Sequence, residues 1–249
     1  MTVDPRAATG FADTAGAYER ARPPYPADAI AAVARVLGVT RSSTVLDLAA
    51  GTGKLTRVLV PLAGRVIAVD PSSLMLAQLR ELLPGVEARE GTAEAIPAAA
   101  GSIDAVFVAQ AFHWFRSAEV SAEIARVLAP GGGLAVLWNR ARWDDHPWHD
   151  EFKALVEPIR EAAGAFPEGD WRLELQQSGR FVPLSEVEVD HVHRIGSAEF
   201  VDLVESWSWI ANLPDEERTV VLAKVRGVVD SQPELALLYR TEIFWTHLA

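Results

Sequence analysis

Between Val45 and Thr56 the chain reads Val-Leu-Asp-Leu-Ala-Ala-Gly-Thr-Gly-Lys-Leu-Thr, and no other stretch restricts the fold so tightly. Val45, Leu46 and Leu48 form an apolar run typical of a strand buried on both faces. The run breaks at Ala49-Ala50-Gly51-Thr52-Gly53, after which Leu55, Val58, Leu59 and Leu62 follow a helical pattern. A strand, a glycine turn and a helix aim backbone N–H groups at a helix N-terminus, where an anionic group is welcome. Small residues at 49, 51 and 53 let a ligand approach the main chain.

Three ligand classes use such a turn, and spacing separates them. A Walker loop needs glycine where Leu48 stands and Ser or Thr where Leu55 stands, so that reading fails. A dinucleotide fingerprint beginning at Gly51 and Gly53 meets Thr56 in its third place, which weakens it without excluding it. The third pattern, acid-x-small-x-Gly-x-Gly, is satisfied by Asp47, Ala49, Gly51 and Gly53. Here the sequence resembles the first motif of the class I methyltransferases that use S-adenosylmethionine, although that family usually has glycine where Ala49 stands. A turn that merely joins a strand to a helix would leave similar marks.

Asp70 follows the apolar run Val66-Ile67-Ala68-Val69, about 20 residues beyond Gly51, the distance that nucleoside binding across adjacent strand ends calls for. Two carboxylate oxygens there suit two ribose hydroxyls. The plainer role for Asp70 is to cap the helix expected from Pro71 to Leu83, with Leu74, Met75, Leu79 and Leu82 facing the core. Gly91-Thr92-Ala93-Glu94-Ala95-Ile96-Pro97 resembles the family's adenine-contacting turn, with Thr92 replacing the usual acid. Ala93 would offer its N–H, and Thr92 or Glu94 would accept from the adenine amino group. The strand Ile103–Ala109 leads into Gln110-Ala111-Phe112-His113-Trp114-Phe115, a run similar to that of the trans-aconitate-type small-molecule methyltransferases. Arg126-Val127-Leu128-Ala129-Pro130-Gly131-Gly132 is another family mark and predicts a sharp reversal into a strand over Leu134–Trp138.

The resemblance implies an α/β fold: a Rossmann-like, seven-stranded, mostly parallel sheet with an antiparallel C-terminal strand and helical lid insertions. It implies one domain over 1–249, with a cofactor-binding core over 11–138 and C-terminal strands with a substrate lid over 139–249. Cofactor contacts are expected from Tyr18, Arg22, Asp47, Ala49, Gly51, Thr52, Gly53, Asp70, Pro71, Met75, Thr92, Ala93, Glu94, Gln110 and Ala111. His113 is the candidate catalytic residue, as base or orienter, histidine being the residue type suited to take a proton near neutral pH. His113, Trp114, Trp138 and Trp143 are the candidate substrate contacts. The cofactor would be S-adenosylmethionine, the product S-adenosylhomocysteine, and the acceptor a small molecule methylated at oxygen. A nicotinamide oxidoreductase and a non-catalytic S-adenosylmethionine-binding protein are the alternatives.

Beyond residue 138 the pattern loosens. An interrupted helix is expected near 151–163 around Pro158, a strand near 185–194, helices near 198–211 and 214–229, and a last strand over Leu237–Thr246. His146 and His149 lie among acids, and His191 and His193 share a strand face, but neither pair suggests a complete metal site, and none is expected. A net charge of −11 over 249 residues argues against nucleic acid as partner. With no cysteine, disulfide and thiol chemistry are excluded. No apolar run approaches the roughly 20 residues of a membrane span, so a soluble cytoplasmic protein without membrane partners is expected, its oligomeric state open.

Overall fold

Along the strands Thr44–Leu48 and Ile103–Ala109, successive side chains enter two different cores, which places these central strands between two apolar layers. Leu46, Leu48, Ile103, Val106 and Val108 pack on one side. Val45, Ala105 and Phe107 pack on the other, against Ile30, Val33, Leu55 and Leu59. The computed structural model describes residues 21–115, 118–164, 171–232 and 234–249. In chain order the elements begin α1 (Ala27–Val36), β1 (Thr44–Leu48), α2 (Thr56–Leu59), β2 (Arg65–Asp70), α3 (Ser73–Leu82), β3 (Glu87–Glu90) and β4 (Ile103–Ala109). They continue with α4 (Ala118–Val127), β5 (Leu128–Ala141), α5 (His149–Ala162), α6 (Trp171–Gln177), β6 (Ser185–Ile195), α7 (Ser197–Glu205), α8 (Ser208–Ala211), α9 (Asp215–Val229) and β7 (Leu235–His247).

The seven strands form one sheet in the order β3-β2-β1-β4-β5-β7-β6. The first five run parallel, with Leu48 level with Val69 and Val108. The C-terminal strands are antiparallel, which completes the expected mostly parallel, Rossmann-like α/β sheet. Contacts divide the chain into two units. One comprises the described residues of Tyr25–Asn139, Pro167–Val189 and Thr241–Ala249; the other comprises those of Met1–Pro24, Arg140–Phe166 and Asp190–Arg240. The second unit has its own core, in which Trp143, Trp148, Phe152, Phe200 and Tyr239 meet the helices α7 and α9.

Several element readings need correcting. The helix after the glycine turn is a single turn, Thr56–Leu59, because the chain must regain the sheet at Arg65 beside Thr44. In α3 the phase differs by a residue: Met75, Leu76 and Leu79 are buried, whereas Leu74 is 56% and Leu82 42% exposed. The strand expected from Leu134 begins at Leu128, and a register irregularity between Ile103 and Ala105 absorbs the Pro-Gly run. Pro158 lies inside a continuous α5 and does not interrupt it. The helix expected over 198–211 is two, α7 and α8, separated at Ser206 and Trp207. α6 was not legible at all. Among the described residues no helix is long and apolar enough to cross a membrane.

Candidate active site

Strand order reverses between β1 and β4, whose neighbours depart in opposite directions, and ligands of open α/β sheets bind beyond the carboxyl ends at such a point. Both strands leave that edge through a non-glycine residue in the left-handed region: Ala49 follows β1 at φ 60° and Gln110 follows β4 at φ 58°. Each such backbone costs about 1–2 kcal/mol, so two on adjacent strand ends mark a place where the fold imposes a shape.

Asp70, the last residue of β2, reaches the loop after β1. Its Oδ2 accepts from the Gly51 N–H at 2.8 Å, and its Oδ1 accepts from the Ser72 N–H at 2.8 Å. The cap of α3 is Ser72, whose hydroxyl accepts from the Met75 N–H, so the capping role considered for Asp70 belongs to its neighbour. The Asp70 carboxyl is raised above its ordinary range by burial, against which the two N–H bonds from Ser72 and Gly51 act. Asp47 is 1% exposed and lies inside the protein, its Oδ2 accepting from the Thr56 hydroxyl at 2.5 Å. Burial pushes its carboxyl up to about 7; the Thr56 hydroxyl opposes the rise and the nearby Asp70 charge adds to it. Thr56, the residue that spoils the dinucleotide pattern, is thus what fastens β1 to α2. With one helical turn behind it, the glycine loop draws its polarity from individual N–H groups rather than from a helix dipole.

The two glycines serve different ends. At Gly51, φ 55°, a Cβ would point into open space. At Gly53, φ 89°, it would stand 3.0 Å from both Leu79 Cγ and Leu83 Cδ1. Gly53→Ala is therefore expected to cost about 2–3 kcal/mol in urea unfolding. Gly51→Ala should cost only about 1 kcal/mol, yet reduce affinity for any ligand seated on the loop. Equal losses of stability in the two variants would contradict this division.

Beyond β3, the Asp70 carbonyl accepts from the Gly91 N–H, which sets the 91–97 turn beside the same carboxylate. Thr92 pairs with Ala95 across the turn, Ala93 is buried and Glu94 is exposed. The turn is held from α4, a device the sequence did not disclose: Glu123 accepts from the Ile96 N–H, while Arg126 donates to the Ile96 and Ala98 carbonyls. An acid and an arginine three apart would have been the only signal. Met75 is buried, Pro71 exposed, and Thr52 wholly buried.

After Gln110, residues Phe112–Trp114 form a 3-10 turn. Phe112 is core, edge-on to Phe115 at 5.4 Å and packed on Trp171 at 5.1 Å. The His113 ring packs near both Trp114 and Trp138, with ring centroids at 4.7 and 5.2 Å. His113, Trp114 and Trp138 therefore come together. Trp143 belongs to the core of the other unit, against Trp148, Phe152, Phe200, Trp207 and Tyr239. Arg22, in that same unit, donates from Nε and Nη2 to the hydroxyl and carbonyl of Ser206, at 2.8 and 2.9 Å. Tyr18 lies outside the described residues. Among the described residues, no three His, Asp or Glu side chains gather as a metal ion would require.

A family model described as a methyltransferase domain matches residues 45–132, from β1 into β5. A protein of Mycobacterium tuberculosis (strain ATCC 25618 / H37Rv), named as an uncharacterized methyltransferase, is 39% identical over 230 residues, covering 91% of this chain and 88% of its own. An uncharacterized methyltransferase-like protein of Schizosaccharomyces pombe is 35% identical over 234 residues, covering 91% of each. Among solved structures, the YcgJ protein of Bacillus subtilis is similar with a TM-score of 0.56 at 17% identity, over 88% of this chain and 97% of its own.

Proposed function

Because the chain belongs to the class I S-adenosylmethionine-dependent methyltransferases, we propose that it moves a methyl group from S-adenosylmethionine to a small organic acceptor, at oxygen. The observation that carries the reading is Asp70 bridging from the end of β2 to Gly51 at the reversal of strand order, beside a glycine whose Cβ direction is open. Each Asp70 oxygen takes one backbone N–H and keeps a second lone pair, which suits a ribose diol. Membership of the family leaves the nicotinamide alternative without support.

In this reading Asp70 holds the ribose, the N–H groups and small residues of 49–53 face the amino-acid end, and Thr92, Ala93 and Glu94 meet the adenine. Asp47 acts through Thr56 by fixing the loop. Gln110 and Ala111 border the sulfur end, with Pro71, Met75 and Thr52 shaping the walls. When bound, S-adenosylmethionine supplies a methyl group already activated on a sulfonium. What the protein adds is alignment of the acceptor with that methyl, an effect worth up to about 7–11 kcal/mol. His113 orients the acceptor oxygen, and takes its proton when the acceptor is a hydroxyl; a carboxylate acceptor needs no base. The two indoles packed near the His113 ring suit a mostly apolar acceptor. The similarity of the Gln-Ala-x-His-Trp-Phe run to the trans-aconitate-type enzymes supports an oxygen as the atom methylated.

Calorimetry with S-adenosylhomocysteine and, separately, with NAD tests the cofactor assignment: heat with the second alone would sink it. Transfer of labelled methyl from S-adenosylmethionine across a panel of small hydroxyl and carboxylate compounds tests the acceptor class. His113→Ala is expected to slow that transfer at least about tenfold while changing the affinity for S-adenosylhomocysteine less. Full turnover by the variant would leave the histidine structural.

A further inference from the structure

The strained residue in front of His113 is tied directly to β5 and, through it, to β7. Gln110 donates its backbone N–H to the Leu137 carbonyl at 2.9 Å, and its side-chain Nε2 donates to the Asn139 carbonyl at 3.1 Å. Asn139 is fixed in turn: its Oδ1 accepts from the Thr241 hydroxyl at 2.6 Å, and Thr241, on β7, is wholly buried. A chain of hydrogen bonds therefore runs from the middle of β7, through the side chain and then the main-chain carbonyl of Asn139 near the end of β5, to the one left-handed residue between β4 and the His113 turn. Trp138, which carries the outer wall against His113, is the residue immediately before Asn139. Three consecutive residues of β5, Leu137, Trp138 and Asn139, thus hold both the residue that enters the turn and the ring beside its histidine.

We propose that Asn139 and Thr241 are positioning residues, which act through the amide of Gln110 to set where His113 stands. The proposal rests on the methyl-transfer reading in taking His113 to face the acceptor. Geometry gives the reason for a hydrogen-bonded chain rather than packing alone. A non-glycine residue at φ 58° relaxes toward the ordinary helical or extended regions unless its neighbours prevent it, and both Gln110 bonds oppose that relaxation. Release of Gln110 would turn Ala111 and the 3-10 turn that follows, where an error of about 1 Å in a reacting group costs on the order of a hundredfold in rate. Removing the Thr241 hydroxyl takes away one anchor of the Asn139 amide, while the apolar packing of β7 is unchanged in an isosteric variant.

The test compares Thr241→Val with Thr241→Ser in the full-length protein labelled with 15N-histidine, the His113 signals being identified by their loss in His113→Ala. The valine variant is expected to move the His113 ring-nitrogen shifts and to slow methyl transfer by about tenfold, with the dissociation constant for S-adenosylhomocysteine altered by less than about twofold. The serine variant is expected to restore both. His113 signals that stay in place in the valine variant overturn the proposal. So does a loss of S-adenosylhomocysteine affinity as large as the loss of rate, which would make the chain a cofactor device. Should Thr241→Val fail to fold, Asn139→Ala removes the same bond to Thr241 while keeping the carbonyl that accepts from Gln110, and is read in the same way. If the unaltered protein binds no S-adenosylhomocysteine, the methyl-transfer reading falls, while the histidine spectra still decide whether the chain positions the turn.

Discussion

Asp70→Ala is expected to weaken S-adenosylhomocysteine binding by about ten- to a hundredfold, measured by calorimetry. A hydrogen bond to a charged acceptor contributes about 1.5–3 kcal/mol, and loss of even one ribose bond of that size gives the lower figure. The variant also releases the N–H groups of Gly51 and Ser72 from their acceptor, so part of its effect passes through the loop. Asp70→Asn separates the two contributions, because an amide oxygen satisfies only one of the two N–H donors and its NH2 faces the other. The asparagine variant should therefore fall between the alanine variant and the parent. Affinity equal to the parent's in Asp70→Ala would remove the ribose assignment, and with it the main support for the reading of the site.

The second large effect concerns Asp47 and is one of pH. Its carboxyl titrates at about 7 in the folded protein against 3.8 ordinarily, chiefly because it is buried. A carboxyl with a raised folded value favours folding while protonated. The protein is then most stable below its ordinary range, loses stability as pH climbs from about 4 to about 7, and changes no further on this account above that. The whole loss amounts to about 4 kcal/mol, since each pKa unit corresponds to about 1.4 kcal/mol. Asp47→Asn abolishes the titration and keeps an oxygen to accept from Thr56. At about pH 8 the asparagine variant is expected to be the more stable protein by a few kcal/mol, and near pH 4 the two should coincide. Urea unfolding across that range measures it; a parent whose stability holds constant or rises from pH 4 to 7 would contradict the assignment. The positive charge of S-adenosylmethionine acts in the opposite sense, favouring the ionised carboxylate, so cofactor binding should release protons near neutrality.

How much of this was legible depended on whether the signal was local. The glycine loop, the acid closing β2 and the parallel strands were readable because burial on both faces writes continuous apolar runs, and turns need particular residues. The His113 run was conspicuous for the same reason, as three aromatic rings rarely crowd a strand-to-helix loop. What escaped depended on partners far away in sequence. That Ser206 would hold Arg22, or that Glu123 and Arg126 would hold the turn at 96–98, is written in no spacing. The helix phase of α3 was misread because Leu74, Met75 and Leu76 are consecutive apolar residues, among which periodicity cannot choose. Pro158 misled in the opposite direction: a proline costs a helix one hydrogen bond and some strain, which the packing of Phe152 and Val156 on α5 outweighs. Tryptophan suits a pocket wall by residue type, and no spacing announces that the ring of Trp143 packs against Phe200 and Tyr239 in an aromatic core.

The left-handed backbones of Ala49 and Gln110 bear on how a ligand would arrive. Conformations that an isolated peptide avoids are here already adopted and fastened by hydrogen bonds from neighbouring strands. The ordering of that backbone is thus completed during folding and does not fall to the moment of encounter, which leaves more of the contact energy to appear as affinity.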